Sequence, residues 1–234
     1  MYALIVFPIL LGLLGVSSAV QAQSACSSDG QRPPAQVLER FINADCLVCW
    51  SQPPAEPPLP ADTLALDWIV LGAQGDAGPL ASAANSDAAA RLAELGRALP
   101  GSMDSVNHAP IYSSPKQPRA ASSALQGARL RVAHGLPLGG YIGVSIELLL
   151  PISGRGALSG RSNAVLRARL LLVETIPAGV DGTKITRNLV RNSITSLWDL
   201  REQLSITQRP AGDTRHLPGA RFYTSQVLSI PEGT

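Results

Sequence analysis

The chain has 234 residues, 45% of them apolar and 15% charged, enough for a packed core and too apolar for a disordered polymer. Its net charge of +2 excludes a chain built to coat nucleic acid, and its three cysteines exclude a disulfide-dense small scaffold. With 19 prolines and 21 glycines, short elements joined by many turns are expected, not one long helical bundle.

Residues 1–22 carry no charge, and Ala3 to Val16 is a nearly unbroken apolar run. Val20 and Ala22 are the small residues wanted at a signal-peptidase site, so 1–22 is expected to be a signal peptide cleaved after Ala22. The alternatives are an uncleaved anchor, for which the run is short of the roughly 20 residues a spanning helix needs, and a lipoprotein. The latter lacks a lipobox residue in Gln23-Ser24-Ala25 before Cys26. Export places the chain in the periplasm or outside the cell, where neighbouring cysteines pair. No stable membrane anchor is expected after cleavage.

Residues 23–34 form a polar leader arm. Val37 to Ile42 is the first strand candidate, followed by a short loop and Cys46-Leu47-Val48-Cys49-Trp50. Pro53, Pro54, Pro57, Pro58 and Pro60 then exclude a regular helix. Leu66 to Leu71 is a second strand. Asn85-Ser86-Asp87 supply N-cap residues for a helix over Ala88 to Leu99, with Ala89, Leu92, Leu95 and Leu99 on one face and Pro100-Gly101 ending it. A short strand is expected near His108 to Tyr112.

The pattern changes near residue 128. Apolar residues alternate at Ala128, Leu130 and Val132, at Ile142, Val144, Ile146 and Leu148, and at Leu166, Ala168, Leu170 and Leu172. This is the period of half-buried antiparallel strands. Lys184 to Ile194 and Arg221 to Ile230 are weaker strands. Charge divides the same way: residues 23–125 carry 6 basic and 10 acidic side chains, residues 126–234 carry 13 and 7. The basic residues are dispersed and not interleaved with aromatics, as solvated strand faces are, so no nucleic-acid partner is expected.

Cys46-x-x-Cys49 is the one sharp chemical signal. Two intervening residues let the sulfurs meet across one helical turn. At a helix start the first sulfur faces unpaired N–H groups that favour thiolate. Cys46 is then the nucleophile and Cys49 the resolving thiol, with protein thiols or disulfides as partners. A structural disulfide and copper capture by the two thiols remain alternatives. A four-cysteine zinc site is impossible, because Cys26 is the only other cysteine; it is either free in the leader arm or paired between chains. His108, His134 and His216 are isolated. Trp50 either covers the disulfide or packs in the core, and Asp45 either raises the neighbouring thiol's pKa or caps the loop. No cofactor is expected, and the oligomeric state is not readable.

The run from Val37 to Cys49 resembles the bacterial secreted DUF1223 family, whose motif is roughly V-E-L-F-T-S-x-G-C-x-x-C-P-P-A-D. Pro53-Pro54-Ala55-Glu56 is similar to the motif's last four residues, displaced by three. Gly78-Pro79-Leu80-Ala81-Ser82 resembles the family's D-P-F-A-S, His108-Ala109-Pro110-Ile111 its Y-T-P-Q, and Asn188-Leu189-Val190-Arg191 its N-x-V-R. The chain departs from the family at Gly72 to Asp76, which replaces an aromatic run, and at Ala109, which replaces Thr. The resemblance implies an α/β thioredoxin-like domain over 35–125 and an all-β, sandwich-like module over 126–234. It also implies that Pro110 is a cis-proline lying against the cysteine pair and shaping a substrate groove. The function expected is thiol–disulfide exchange by an exported protein. The alternatives are a non-enzymatic binding module with a structural disulfide, or a periplasmic copper chaperone.

Overall fold

The computed structural model of the protein describes residues 25–53, 59–108, 128–151, 165–199 and 219–231. It is mostly β: one sheet of five strands, one of four, and few helices among the described residues.

Strands β2 (Gln36–Asn43) and β3 (Thr63–Val70) run parallel, from Gln36 opposite Thr63 to Asn43 opposite Val70. A parallel pair requires a crossover, and the crossover here begins with the short helix α1 (Leu47–Ser51). Toward their carboxyl ends both strands are buried on both faces. That is why they read in sequence as apolar runs rather than as alternation. Strand β4 (Met103–His108) lies antiparallel on the other side of β2, with Met103 opposite Ile42 and His108 opposite Val37. Of the strand expected near His108 to Tyr112, His108 is the last residue of β4, and residues 109–112 lie outside the described residues.

Helix α2 (Ser86–Glu94) starts where the capping residues place it, the Ala88 N–H donating to Asn85 Oδ1 at 2.8 Å. It ends sooner than Pro100, because Gly96 takes the left-handed conformation (φ 66°) that closes a helix. Ala88 and Leu92 pack on Phe41, Leu66, Trp68, Val70 and Val190. Successive strand residues face opposite ways, so Ile42 and Ile69 build the other face with Ala44, Trp50, Ile176 and Leu189.

The long strands β7 (Val165–Ile176) and β8 (Arg187–Asp199) form an antiparallel pair, β8 joining β3 in parallel with Asp67 opposite Leu189. The order is β4-β2-β3-β8-β7. The second sheet holds β1 (Cys26–Ser27), β5 (Arg129–His134), β6 (Tyr141–Pro151) and β9 (Gly219–Ser229), all antiparallel in the order β1-β5-β6-β9. The expected alternation shows in its core: Ile142, Val144 and Ile146 meet Leu170, Trp198, Phe222 and Leu228. Trp198 and Phe222 stack with ring centroids 5.5 Å apart. The two sheets thus share apolar residues through β7 and β8.

Two organisational features differ from the linear division at residue 125. Strands β7 and β8, from beyond it, complete the sheet that β2, β3 and β4 begin. The inner edge of β3 needs a hydrogen-bonding partner, and β8 supplies one together with buried Leu189 and Val190. The segment read as a leader arm contributes β1 as an edge strand. No helix among the described residues is long and apolar enough to cross a membrane. The leader 1–22 lies outside the described residues.

Candidate functional site

At the carboxyl end of β2 the chain turns sharply. The Asp45 N–H donates to Asn43 Oδ1 at 2.8 Å and the Cys46 N–H to the Asn43 carbonyl at 2.9 Å. The first turn of α1 follows, with the N–H groups of Cys49 and Trp50 donating to the Cys46 carbonyl. Cys46 and Cys49 form a disulfide across this turn, their Cα atoms 5.3 Å apart. Both are half-buried, while Leu47 and Val48 between them are 51% and 62% exposed. Cys26 is free and exposed, in the other sheet, opposite His134.

A five-residue helix cannot hold itself together, and its end leaves carbonyls without partners. The connection between β7 and β8 and the first residue of β8 anchor the helix and supply donors for those carbonyls. Trp50 is buried and donates its Nε1–H to the Asp181 carbonyl at 2.8 Å, and the Lys184 N–H donates to the Ser51 carbonyl at 3.0 Å. Presenting that Asp181 carbonyl involves a left-handed backbone at Asp181 (φ 49°). Beneath the helix lies Arg187, fully buried. Its Nη2 donates to the carbonyls of Cys49, Trp50 and Gln52 at 2.8, 2.8 and 2.9 Å. Its guanidinium carbon also sits 5.4 Å from the centroid of the Trp50 ring.

Asp67, fully buried in β3, balances this charge. Its Oδ1 accepts from Arg187 Nη1 at 3.1 Å and pairs with Arg40 Nε at 2.8 Å; its Oδ2 accepts from Arg40 Nη2 at 3.0 Å. The Asn188 N–H adds a further donor at 3.2 Å. Burial pulls the Arg187 pKa below its usual value, Asp67 opposes this, and the like charge of Arg40 adds to it.

Asp45 sits on the loop side of the pair. Its Oδ2 accepts the Gln74 N–H at 3.1 Å, while its Oδ1 is buried without a hydrogen-bond donor. The carboxylate occupies a notch left by missing side chains: a Cβ on Gly72 would fall 2.4 Å from it, and one on Gly78 2.7 Å from it. Asp45 is thus a packed loop residue. The segment resembling D-P-F-A-S is beside it, with the Leu80 N–H donating to the Ala44 carbonyl at 3.0 Å.

A second polar cluster lies toward the other end of β2. Buried Glu39 accepts from Arg91 Nε and Nη2 and from Trp68 Nε1, and lies 2.6 Å from His108 Nε2. Burial alone would push its carboxyl up, but Arg91 and His108 outweigh that and hold it below the ordinary glutamate value of 4.5. A lowered carboxyl contributes stability that is full above about pH 4.5 and is lost as pH falls through the folded value. Each unit of lowering is worth about 1.4 kcal/mol. Urea unfolding between pH 6 and 3 is expected to show this acid limb in the wild type and a flatter one in Glu39→Gln. Equal slopes would show that Glu39 does not titrate as described.

Of the residues singled out from sequence, Cys46 and Cys49 are brought together. Pro110 lies outside the described residues, as does His216. His108 is opposite Val37, at the end of β2 away from the cysteines. The His134 ring lies on its neighbour's carbonyl, Gly135 O, 2.9 Å from Nδ1. Trp50 packs in the core beside Cys49. No group of three or more His, Cys, Asp or Glu among the described residues is placed to hold a metal. Arg187, Asp67 and Arg40 were missed. Their signal was a single Asp inside the apolar run of β3 and a Glu-Arg pair inside β2. A charge at such a position must be paired. No family model matches the chain, and no curated protein or solved structure is significantly similar to it.

Proposed function

We propose that the chain is an exported thioredoxin-like protein, a divergent relative of the DUF1223 proteins, that exchanges thiols and disulfides through Cys46 and Cys49. The carrying observation is the placement of the pair. It follows a strand of a parallel β2–α1–β3 unit at the strand's carboxyl end, where open α/β sheets bind their ligands. Antiparallel β4 on the far side of β2, and α2 on the face opposite α1, support the same reading. The exposure of Leu47 and Val48 leaves room for a partner polypeptide at the sulfurs. Cys46 is the nucleophile and Cys49 the resolving thiol.

The alternative is a binding module with a purely structural bridge. A bridge across a sequence separation of 3 closes a very short loop. It removes only about 2 kcal/mol of unfolded-chain entropy, against nearly 5 for a hundred-residue loop. The helix is also already fixed by Arg187, Trp50 and Lys184. Stability is therefore a weak reason for these two sulfurs to be paired.

The test is the reduction potential of the pair, with insulin reduction as the activity. A potential between about −270 and −120 mV, the range of known exchange proteins, is expected. Cys46→Ser should fold and lose insulin reduction. A potential below about −300 mV, typical of inert bridges, would overturn the exchange reading.

A further inference from the structure

We propose that Arg187 is the positioning residue of the cysteine pair: by holding the carbonyls of Cys49, Trp50 and Gln52 from beneath α1, it sets how readily Cys49 reaches a sulfur bound to Cys46. The inference rests on the exchange reading and adds to it the element that governs resolution.

The argument runs from the hydrogen bonds. One guanidinium nitrogen spans the last carbonyls of α1 at 2.8 to 2.9 Å. The other two nitrogens of the guanidinium are fixed as well, Nη1 by Asp67 at 3.1 Å and Nε by Thr183 Oγ1 at 3.4 Å. The clamp grips backbone, not sulfur, so it is available whether the pair is a disulfide or a dithiol. In the dithiol nothing covalent keeps α1 closed, and five residues hold no helix by themselves. The two sulfurs then meet only while the backbone between them stays in its turn. The effective concentration of one thiol at the other is thus a property of the Arg187 seat. The other charged groups around the turn are Asp45 before Cys46, Lys184 against Gln52, and the Asp67–Arg40 pair below.

With glutathione as the probe the chemistry is balanced. A glutathione thiolate bonds to the Cys46 sulfur, the disulfide electron pair leaves onto Cys49, and Cys49 takes up a proton. A second glutathione thiolate then displaces Cys46, which also takes up a proton, and glutathione disulfide leaves. In reverse, the Cys49 thiolate attacks the Cys46–glutathione disulfide and expels glutathione; this is the resolution step.

Arg187→Lys retains a cation, but a single ammonium cannot hold Asp67, Thr183 and the three carbonyls from separate nitrogens as the guanidinium does. Equilibration in glutathione buffers should shift about tenfold toward the dithiol, which is about 30 mV. Resolution of the Cys46–glutathione disulfide should slow by a similar factor, while attack of Cys46 on an external disulfide changes less than about twofold. Thr183→Val removes one of the anchors of Arg187 with little change in shape. It should move the equilibrium the same way by about twofold, which keeps the test open if Arg187→Lys fails to fold. A residue that only stabilises the fold would lower the urea midpoint and leave the split between the two rates unchanged. Wild-type values in the variants, or a shift toward the disulfide, would overturn the inference. If glutathione does not reduce the wild-type pair, the exchange reading fails; the variant-to-wild-type ratio, read in dithiothreitol buffers, still decides the role of Arg187.

Discussion

Asp67→Asn is expected to lower the free energy of unfolding by about 3–5 kcal/mol, the cost of stranding a buried charge by removing its partner. The carboxylate is fully buried and faces two guanidinium groups, Arg40 and Arg187, both also buried. Asparagine keeps the shape and one acceptor oxygen but supplies no negative charge. Two like charges would then share a pocket closed to water, where Coulomb repulsion is only weakly screened. The loss is read as a fall in the urea midpoint with an unchanged slope. A loss under about 1 kcal/mol would mean that these groups are far better hydrated than their burial indicates. Because Arg187 also seats α1, the variant should leave Cys46 and Cys49 easier to reduce even under conditions where it remains folded.

Phe222→Ala should cost about 3–5 kcal/mol, as truncation of a buried aromatic does. Phe222 is fully buried and stacks on Trp198, so the substitution opens a void where the two sheets meet. Its second consequence concerns the way the chain is divided. Strands β7 and β8 place residues in both apolar regions: Leu170 and Trp198 beside Phe222, Val190 beside Phe41 and Trp68. Loosening the shared end should therefore lower protection against amide hydrogen exchange in β2 and β3 together with β6 and β9, in one transition. Retained protection of β2 and β3 after β6 and β9 have opened would show two independently stable units.

How far these features could be read from sequence depends on the range of the interactions. Strands β6 and β7 are visible because one face of each is buried and the alternation survives; in β5 it is weaker, Leu130 being 61% exposed while Ala133 is buried. Strands β2 and β3 are visible as apolar runs for the opposite reason, burial of both faces. What could not be read is the pairing of β8 with β3, which joins residues 122 apart, such as Asp67 and Leu189. Nothing local in Arg187 to Val190 indicates which edge it will cover, so a division by composition and charge fell between strands of one sheet. The site divides in the same way. Cys46 and Cys49 announce themselves by spacing. Arg187 lies in a weakly patterned strand and acquires its role only through contacts with Cys49 and Asp67, more than a hundred positions earlier.

That separation has a consequence in time. Cys49 and Arg187 are 138 residues apart. At synthesis rates of about 5–20 residues per second, Arg187 is made roughly 7–28 seconds after Cys49. During that interval the growing chain carries both sulfurs without the strand that will later seat them. Until the β7–β8 hairpin is made, the two sulfurs lie on a stretch of chain without the Arg187 seat, and the hairpin's arrival is what gives the turn between them its fixed geometry.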